Sequence, residues 1–432
     1  MAGKKTQSQL TPEEKLQQAL VPEAEQPYKI PDNWCWLHLL DSFINCTDSN
    51  KKIKQKEYLK EGILPIVDQG KDLIGGFTNN KEIAFKGDLP VIIFGDHTRC
   101  VKYVNFTFVQ GADGVKVLKP HFFYNEKLFY YALKNIDIKN LGYRRHFPTF
   151  DQYYVPIPPI AEQQRIVERI ESLFGKLDEA KENLQNVLDG LKNRKSAILH
   201  KAFIGELTSN WRKQHGISMD SWEEKKLGDC GSLQRGRSKH RPRNDSRLFG
   251  EKYPFIQTGD VANAEMYIIN HSKMLSDFGL QQSKLFPKGT LCITIAANIG
   301  KVGILTYDCC FPDSVVGFLP NNENICEFIY YKLTTLQKEL EELAPATAQK
   351  NINLKLLNDL KINMPTRDEQ IEIVRIIDYL FAKEQQAKEL AEKAIAKIDL
   401  IKKAILARAF RGELGTNNPA DEPAIELLKR VL

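Results

Sequence analysis

The residues of this chain best suited to chemistry are cations and hydrogen-bond donors, not paired acids or nucleophiles. Between Arg235 and Arg247 stand six Lys/Arg against one acid, Asp245. Cations at that density displace counterions from nucleic-acid phosphates. Arg235, Arg237, Lys239, Arg241 and Arg243 are therefore candidate phosphate contacts, because a flexible loop positions nucleic acid better than it specifies sequence. A solvated loop is the plainer reading, and Gly236 with Pro242 makes the run a loop on either view. Base reading needs other geometry: Arg and Lys suit guanine, Asn and Gln suit adenine. Such residues stand in Gly142-Tyr-Arg-Arg-His-Phe147 and in Gln349-Lys-Asn-Ile-Asn-Leu354, which fall opposite each other at a spacing of 207. Tyr143, Arg144, Arg145 and His146, with Gln349, Lys350, Asn351 and Asn353, are thus candidate base readers, and a polar loop or helix cap is the alternative. Gln69 and the pair Gln257-Thr258 follow strand-like runs and are weaker candidates. Asp96-His97-Thr98-Arg99 reads as a turn held by its Asp and Thr side chains, as a DNA contact through Thr98 and Arg99, or as an acid–base site.

No catalytic constellation accompanies these residues. Gly300-Lys301 is followed by Val302 and lacks the upstream glycine of a phosphate-cradling loop. The Asn/Asp-Pro-Pro-aromatic sequence of an amino-methyltransferase does not occur, and no acid–acid–Lys nuclease set stands out. Eight cysteines show neither C-x-x-C nor Cys/His ligand spacing, so neither a disulfide framework nor a zinc site is expected. A length of 432 residues exceeds one ordinary core. With 42% hydrophobic and 27% charged residues, the composition is that of a soluble globular protein. No apolar run reaches membrane-spanning length, and the first residues lack a signal-peptide core. The cytoplasm is the expected compartment. The expected class is a DNA-binding chain without turnover of its own. Its competitors are a modification or restriction enzyme with its own activity, and a coiled-coil scaffold whose globular ends bind proteins.

The donor-rich segments must be positioned by a repeat. Residues 157–207 align with 364–414 at the same offset of 207, with 21 of 51 positions identical. The matches cluster at the ends. Pro158, Glu162, Gln163, Ile166, Val167, Ile170, Leu173 and Phe174 recur as Pro365, Glu369, Gln370, Ile373, Val374, Ile377, Leu380 and Phe381. Ala202-Phe-x-Gly-Glu-Leu207 recurs as Ala409-Phe-x-Gly-Glu-Leu414, and the entries Pro31-Asp-Asn-Trp34 and Met219-Asp-Ser-Trp222 echo each other. So long a period marks a two-fold device. Ile166, Ile170, Leu173, Leu177, Ala180, Leu184, Val187, Leu191 and Ile198 keep the 3-4 spacing of a coiled-coil seam. Ile373, Ile377, Leu380, Ala387, Ala391, Ala394, Ile398, Ile401 and Ile405 do the same. Thr366-x-x-Glu369 spells a capping box, and Gly205 and Gly412 sit where C-caps belong. Roughly 42 residues at about 1.5 Å each make a rod of about 60 Å. Copies separated by a globular segment pair most simply antiparallel. The globular units would then lie at opposite ends of the rod, with both termini at the first.

Between the helices, β-branched runs punctuated by Gly and Pro predict strands at 64–68, 91–94, 112–118, 255–257, 291–295 and 302–305. Shorter helices are expected at 10–20, 121–134, 326–343 and 420–431. The fold class is α+β: two mixed α/β domains separated by two long helices in an antiparallel coiled coil, with pseudo-two-fold symmetry.

Together these features resemble the specificity subunit of Type I restriction–modification systems, over essentially the whole chain from about Pro27. The most specific elements are Pro156-Ile-Pro-Pro-Ile-Ala-Glu-Gln-Gln-Arg-Ile-Val167, its repeat Met364-Pro-Thr-Arg-Asp-Glu-Gln-Ile-Glu-Ile-Val374, and the paired Ala-Phe-x-Gly-Glu-Leu endings. Ile93-Phe-Gly-Asp-His-Thr-Arg99, Tyr253-Pro-Phe-Ile-Gln-Thr-Gly-Asp260 and Ala297-Asn-Ile-Gly-Lys301 look like target-recognition phrases, which adds Lys301 to the candidate contacts. The resemblance implies an N-terminal helical segment at 1–26, target-recognition domains at 27–159 and 208–365, spacer helices at 160–207 and 366–414, and a tail at 415–432. It implies a subunit that reads a split, asymmetric sequence in double-stranded DNA, one half per domain. Two modification subunits would dock on the helices, restriction subunits would join them, and no membrane is involved. No cofactor is implied for this chain: S-adenosylmethionine would belong to the modification subunits, ATP and Mg²⁺ to the restriction subunits.

Overall fold

A computed structural model of the protein describes residues 11–343 and 352–431. It divides into two compact units, Met1–Leu184 with Lys393–Leu432, and Gln185–Glu392. The boundaries read from sequence fall at the ends of the long helices. Packing instead divides each long helix between the two units.

The first unit contains ten strands: β1 (Cys35–His38), β2 (Phe43–Asn45), β3 (Lys52–Ile53), β4 (Leu64–Val67), β5 (Gly76–Thr78), β6 (Val91–Gly95), β7 (Val101–Val104), β8 (Val109–Gly111), β9 (Val115–Pro120) and β10 (Tyr154–Ile157). Its main sheet runs β2-β9-β6-β7, with antiparallel neighbours throughout. A smaller sheet runs β3-β8-β4-β5, and within it β4 and β8 are parallel. Strand β6 is buried at all five positions. Alternation sends its residues to opposite faces: Ile92 and Phe94 join Phe129 and Phe150 in one core, while Val91 and Ile93 join Val67 and Phe108 in another. Helix α1 (Pro12–Ala19) opens the unit, and α2 (Glu126–Asn135) begins later than 121 because the Asn125 side chain caps it. Strand β9 begins at Val115, not 112, because Asp113 and Gly114 turn the chain at φ of 32° and 87°.

The second unit repeats this plan. Its strands are β11 (Glu223–Lys226), β12 (Gly231–Arg235), β13 (Phe249–Phe255), β14 (Tyr267–Ile268), β15 (Lys273–Leu275), β16 (Leu285–Phe286), β17 (Leu291–Thr294), β18 (Val302–Leu305), β19 (Cys309–Cys310), β20 (Val315–Pro320) and β21 (Lys361–Met364). The main sheet runs β12-β20-β17-β18-β14, and its first four strands follow the order of the first unit's main sheet. The parallel pair recurs as β13 with β19. The flanking pair β1–β10 recurs as β11–β21, with Leu37 opposite Val155 and Lys225 opposite Ile362. The helix expected at 326–343 breaks at Leu336 into Cys326–Thr335 and Gln337–Leu343.

The long helices are Ile160–Phe203, of 44 residues, and Arg367–Ala409, of 43. They run antiparallel: Lys402 meets Asp178 at 2.5 Å and Lys181 meets Asp399 at 3.2 Å in the first unit, and Arg194 meets Glu384 at 3.7 Å in the second. The seam is thinner than the heptads predict. Ala180, Val187 and Ile401 are exposed, while Lys181, Glu384 and Lys402 are half-buried. Long charged side chains can take such places because their stems lie along apolar surface while their heads reach an acid; Lys402 crosses the Phe174 ring at 4.9 Å. Gly205 and Gly412 end the helices at φ of 76° and 74°, as αL caps require. The terminal helices Pro12–Ala19 and Ala424–Val431 meet in the first unit, where Leu16, Ala19, Ala424 and Leu428 share one core.

Candidate nucleic-acid interface

Each unit is fastened to the long helices by the same buried joint. In the first unit Glu162 is fully buried, and accepts hydrogen bonds from Trp34 Nε1 at 2.7 Å, Asn417 Nδ2 at 2.8 Å and Thr416 Oγ1 at 3.1 Å. In the second, Glu369 is fully buried and accepts from Trp222 Nε1 at 3.0 Å, Thr208 Oγ1 at 2.6 Å and Arg212 Nη1 at 2.5 Å. Glu369 therefore does not close the expected capping box, because a buried guanidinium and two neutral donors claim its oxygens. The neighbouring glutamine completes the joint. Gln163 donates to the carbonyls of Phe123 and Pro158 and accepts from Asn125 N–H; Gln370 donates to the Pro365 carbonyl and accepts from Ile325 N–H. The long helix is thereby tied to the loop that follows β9 or β20.

The joint sets the stage for a turn built alike in both units. Asp96, just past β6, donates its amide to the Gly114 carbonyl at 2.6 Å and accepts the His146 amide at 2.9 Å. Ile295, just past β17, donates to the Ser314 carbonyl at 3.0 Å and accepts the Ile352 amide at 3.0 Å. In each unit the junction segment before the long helix is thus pinned by main chain to the turn after a central strand. In the first unit this gathers several sequence candidates. Gln69 Oε1 accepts the His97 amide at 3.3 Å, the Gln69 carbonyl accepts the Thr98 hydroxyl at 2.6 Å, and His97 Nδ1 lies 3.1 Å from the Tyr143 carbonyl. Tyr143 is 99% exposed, and Arg144 and Arg145 beside it are exposed. His146 has to be withdrawn as a reader. It is fully buried, its Nδ1 donates to the Asp96 carbonyl at 2.8 Å and its Nε2 accepts the Leu141 amide at 3.0 Å, so no ring nitrogen is left for a base. Asp96 does not contact His97 as an acid–base pair would; its carboxylate accepts the Phe147 amide at 2.7 Å. Thr98 holds the turn, and Arg99, at φ of 59°, donates to the Ile138 carbonyl at 2.8 Å.

In the second unit, a cavity of about 430 Å³ brings together Arg237, Arg243, Gln257 and Thr258, with Asp260 and Lys273 also in its wall. Arg235 ends β12, and the run from Gly236 to Asp245 is a loop, as Gly236 and Pro242 require, but it is pinned instead of free. Arg235 donates to the Asp313 carbonyl, and Arg243 grips both Asp313 carboxylate oxygens at 3.1 Å. The Lys239 amide bonds the Gln282 carbonyl at 3.0 Å, and Arg241 donates to the Ser238 and His240 carbonyls at 2.8 Å. Hydrogen bonds from Arg247 hold the Asp245 carboxyl well below the usual carboxylate range, and His240 lies 2.8 Å from the same group. Lys301 is half-buried at the end of the turn after β17, its amide on Thr294 Oγ1 at 3.0 Å. Asn353 caps the short helix Leu354–Asn358, its Oδ1 accepting the Leu356 amide at 2.8 Å. Gln349, Lys350 and Asn351 lie outside the described residues.

A family model described as the Type I restriction modification DNA specificity domain matches residues 38–189 and 219–393. The chain belongs to that family. The EcoBI specificity subunit of Escherichia coli is 27% identical over 331 residues, 69% of this chain and 68% of that protein. The StySPI specificity subunit of Salmonella potsdam is 26% identical over 293 residues, 64% of this chain and 60% of that one. The EcoKI specificity subunit of Escherichia coli strain K12 is 27% identical over 290 residues, and 61% of its length is spanned. A crystal structure of the HsdS subunit from Thermoanaerobacter tengcongensis superposes with a TM-score of 0.61 at 18% identity, covering 90% of this chain and 100% of that one. The fold is shared with it. DNA sequence recognition within a Type I restriction–modification system is the functional class that the family carries.

The sequence reading of this specificity chain missed two things. It found Trp34, Trp222, Glu162 and Glu369 as repeated letters without joining indole to carboxylate, because the glutamates recur at a spacing of 207 and the tryptophans at 188. It also passed over His97, because nothing local tells that Tyr143 supplies the carbonyl that orients its ring.

Proposed function

We propose that each unit reads one half of a bipartite, asymmetric double-stranded DNA site, while the long helices set the gap and dock two modification subunits. One observation carries this reading: the buried glutamate–indole joint and the order of four main-sheet strands recur in both units, while the polar side chains that each unit displays differ. The first unit offers Gln69, His97, Tyr143, Arg144 and Arg145; the second offers the basic loop and the cavity with Gln257 and Thr258. Reading modules at fixed separation read half-sites spaced to match, about 34 Å per helical turn of DNA. Docking is supported by apolar side chains left in solvent along the second long helix: Tyr379 and Leu390 in one unit, Leu400 and Ile401 in the other. A modification subunit that covered them would remove that apolar area from water. S-adenosylmethionine then belongs to the modification subunits, ATP and Mg²⁺ to restriction subunits that join them, and this chain contributes recognition without turnover. No helix among the described residues is long and apolar enough to cross a membrane, and the complex works where its DNA is, in the cytoplasm.

Long-read methylation mapping in cells that express the chain with its modification subunits tests this. The expected result is one asymmetric motif with two specified parts and a fixed gap. A matched heptad insertion in both helices should lengthen the gap and leave both parts unchanged. A continuous motif, or methyl transfer by the purified chain alone, would overturn the proposal.

A further inference from the structure

We propose that His97 reads a base directly, as a hydrogen-bond acceptor for an exocyclic amino group (adenine N6 or cytosine N4) in the major groove. The inference rests on the first unit being a half-site reader and adds the chemistry of one of its contacts. Three separate segments fix the ring. The His97 amide is held by Gln69 Oε1 at 3.3 Å, Nδ1 lies 3.1 Å from the Tyr143 carbonyl, and Gly114 packs so closely that a Cβ there would fall 2.8 Å from His97 Cδ2. A carbonyl oxygen only accepts, so Nδ1 carries the proton. In the neutral ring Nε2 is then an acceptor, and among the described residues it has no hydrogen-bond partner.

Buried His146 shows the contrast. Its Nδ1 also donates to a carbonyl, but its Nε2 is already occupied by the Leu141 amide. At His97 the same tautomer leaves the acceptor unused on a half-buried, oriented ring beside exposed Tyr143, Arg144 and Arg145. An acceptor needs a donor opposite. In the major groove only the amino groups of adenine and cytosine donate; guanine offers N7 and O6, and thymine offers O4. The neighbouring arginines supply donors for guanine, so His97 gives this surface the complementary polarity.

The test uses the full chain assembled with its modification subunits and a selection from random double-stranded DNA. His97→Ala should lose preference at one base pair of a single half-site, and whether that pair is A·T or G·C decides between adenine and cytosine. Rebuilding that base without its amino group should weaken wild-type binding roughly three- to tenfold, the worth of one hydrogen bond, and leave His97→Ala unmoved. His97→Gln keeps a donor for Tyr143 and an acceptor for the base, and should retain the penalty. An unchanged preference in His97→Ala, or equal penalties in both proteins, overturns the assignment. A wild-type complex that selects no sequence overturns the half-site reading itself.

Discussion

Replacing Glu369 by alanine is the sharpest test of how a unit is held to the helices. Its carboxylate is fully buried and receives one charged and two neutral donors, Arg212, Thr208 and Trp222. Two effects compete. The intact pair contributes little relative to an apolar pair of the same size, because desolvation offsets attraction; removing one partner strands the other charge at about 3–5 kcal/mol. Arg212 is only 8% exposed and cannot reach solvent without unpacking, although its Nη2 keeps the Gly205 carbonyl at 2.6 Å. The stranded charge therefore wins, and Glu369→Ala should cost about 3–5 kcal/mol. Glu369→Gln keeps an acceptor and should cost about half that. The double change Glu369→Leu with Arg212→Met removes both charges but leaves the Trp222 and Thr208 donors without their acceptor, so it should cost less than Glu369→Ala, about 1–3 kcal/mol. The assay is urea unfolding followed by far-UV circular dichroism, with the coupling extracted from the cycle of single and double variants. A single-variant cost below about 1 kcal/mol, or a double variant no better than the worse single, would refute a buried, charge-paired joint.

Four further outcomes follow from the same geometry. Glu162→Ala removes a carboxylate with neutral donors only among its hydrogen-bond partners here, Trp34, Thr416 and Asn417, and should cost less than Glu369→Ala, about 2–3 kcal/mol by the same unfolding assay. Arg237→Ala and Arg241→Ala should each weaken binding to all sequences and lower the slope of log affinity against log salt by about 0.9, measured by salt-titrated fluorescence anisotropy. Arg144→Ala should change the preferred base at one position of one half-site, by about 1–3 kcal/mol in competitive binding, and leave the other half unaltered. Gly412→Ala combines a φ of 74° with overlap of Pro31, whereas Gly216→Ala meets open space at a φ of 64°; thermal unfolding should show a cost of about 1–2 kcal/mol for the latter and more for the former.

The sequence revealed those parts of the protein that depend on period. Both long helices, their glycine caps, the antiparallel pairing and the meeting of the terminal helices in one unit follow from 3-4 spacing and a common offset. The strands at 64–67, 91–95 and 302–305 follow from β-branched runs. What stayed hidden depends on partners distant in sequence. His146 has the composition of a reader, and only its burial between the Asp96 carbonyl and the Leu141 amide disqualifies it. Glu369 has the spacing of a cap residue, and Arg212 and Trp222 draw it elsewhere. The basic loop has the composition of a free segment, and Asp313 and Asp245 pin it. In the seam, Ile401 fits the heptad, yet the neighbouring Lys402 takes the half-buried place because it can satisfy Asp178.

The two kinds of contact explain why the repeat is most alike at its ends and free between. At the joint, side chains do the work: exchanging Glu162, Gln163, Trp34 or their counterparts leaves a buried donor or acceptor without a partner, at about 1–3 kcal/mol each. The helix middles need only length and a thin seam, so alanine, leucine and paired charges all serve. At the turn after the central strand the holding bonds are main chain, Asp96 to Gly114 and His146 in one unit, Ile295 to Ser314 and Ile352 in the other. Main-chain bonds are indifferent to most side chains, so an aspartate and an isoleucine can occupy the same place. Residues displayed beyond that place can therefore change without loosening the unit. On the proposed reading, specificity can vary because the turns that display it hang on backbone, and spacing can stay constant because the joints are locked by side chains.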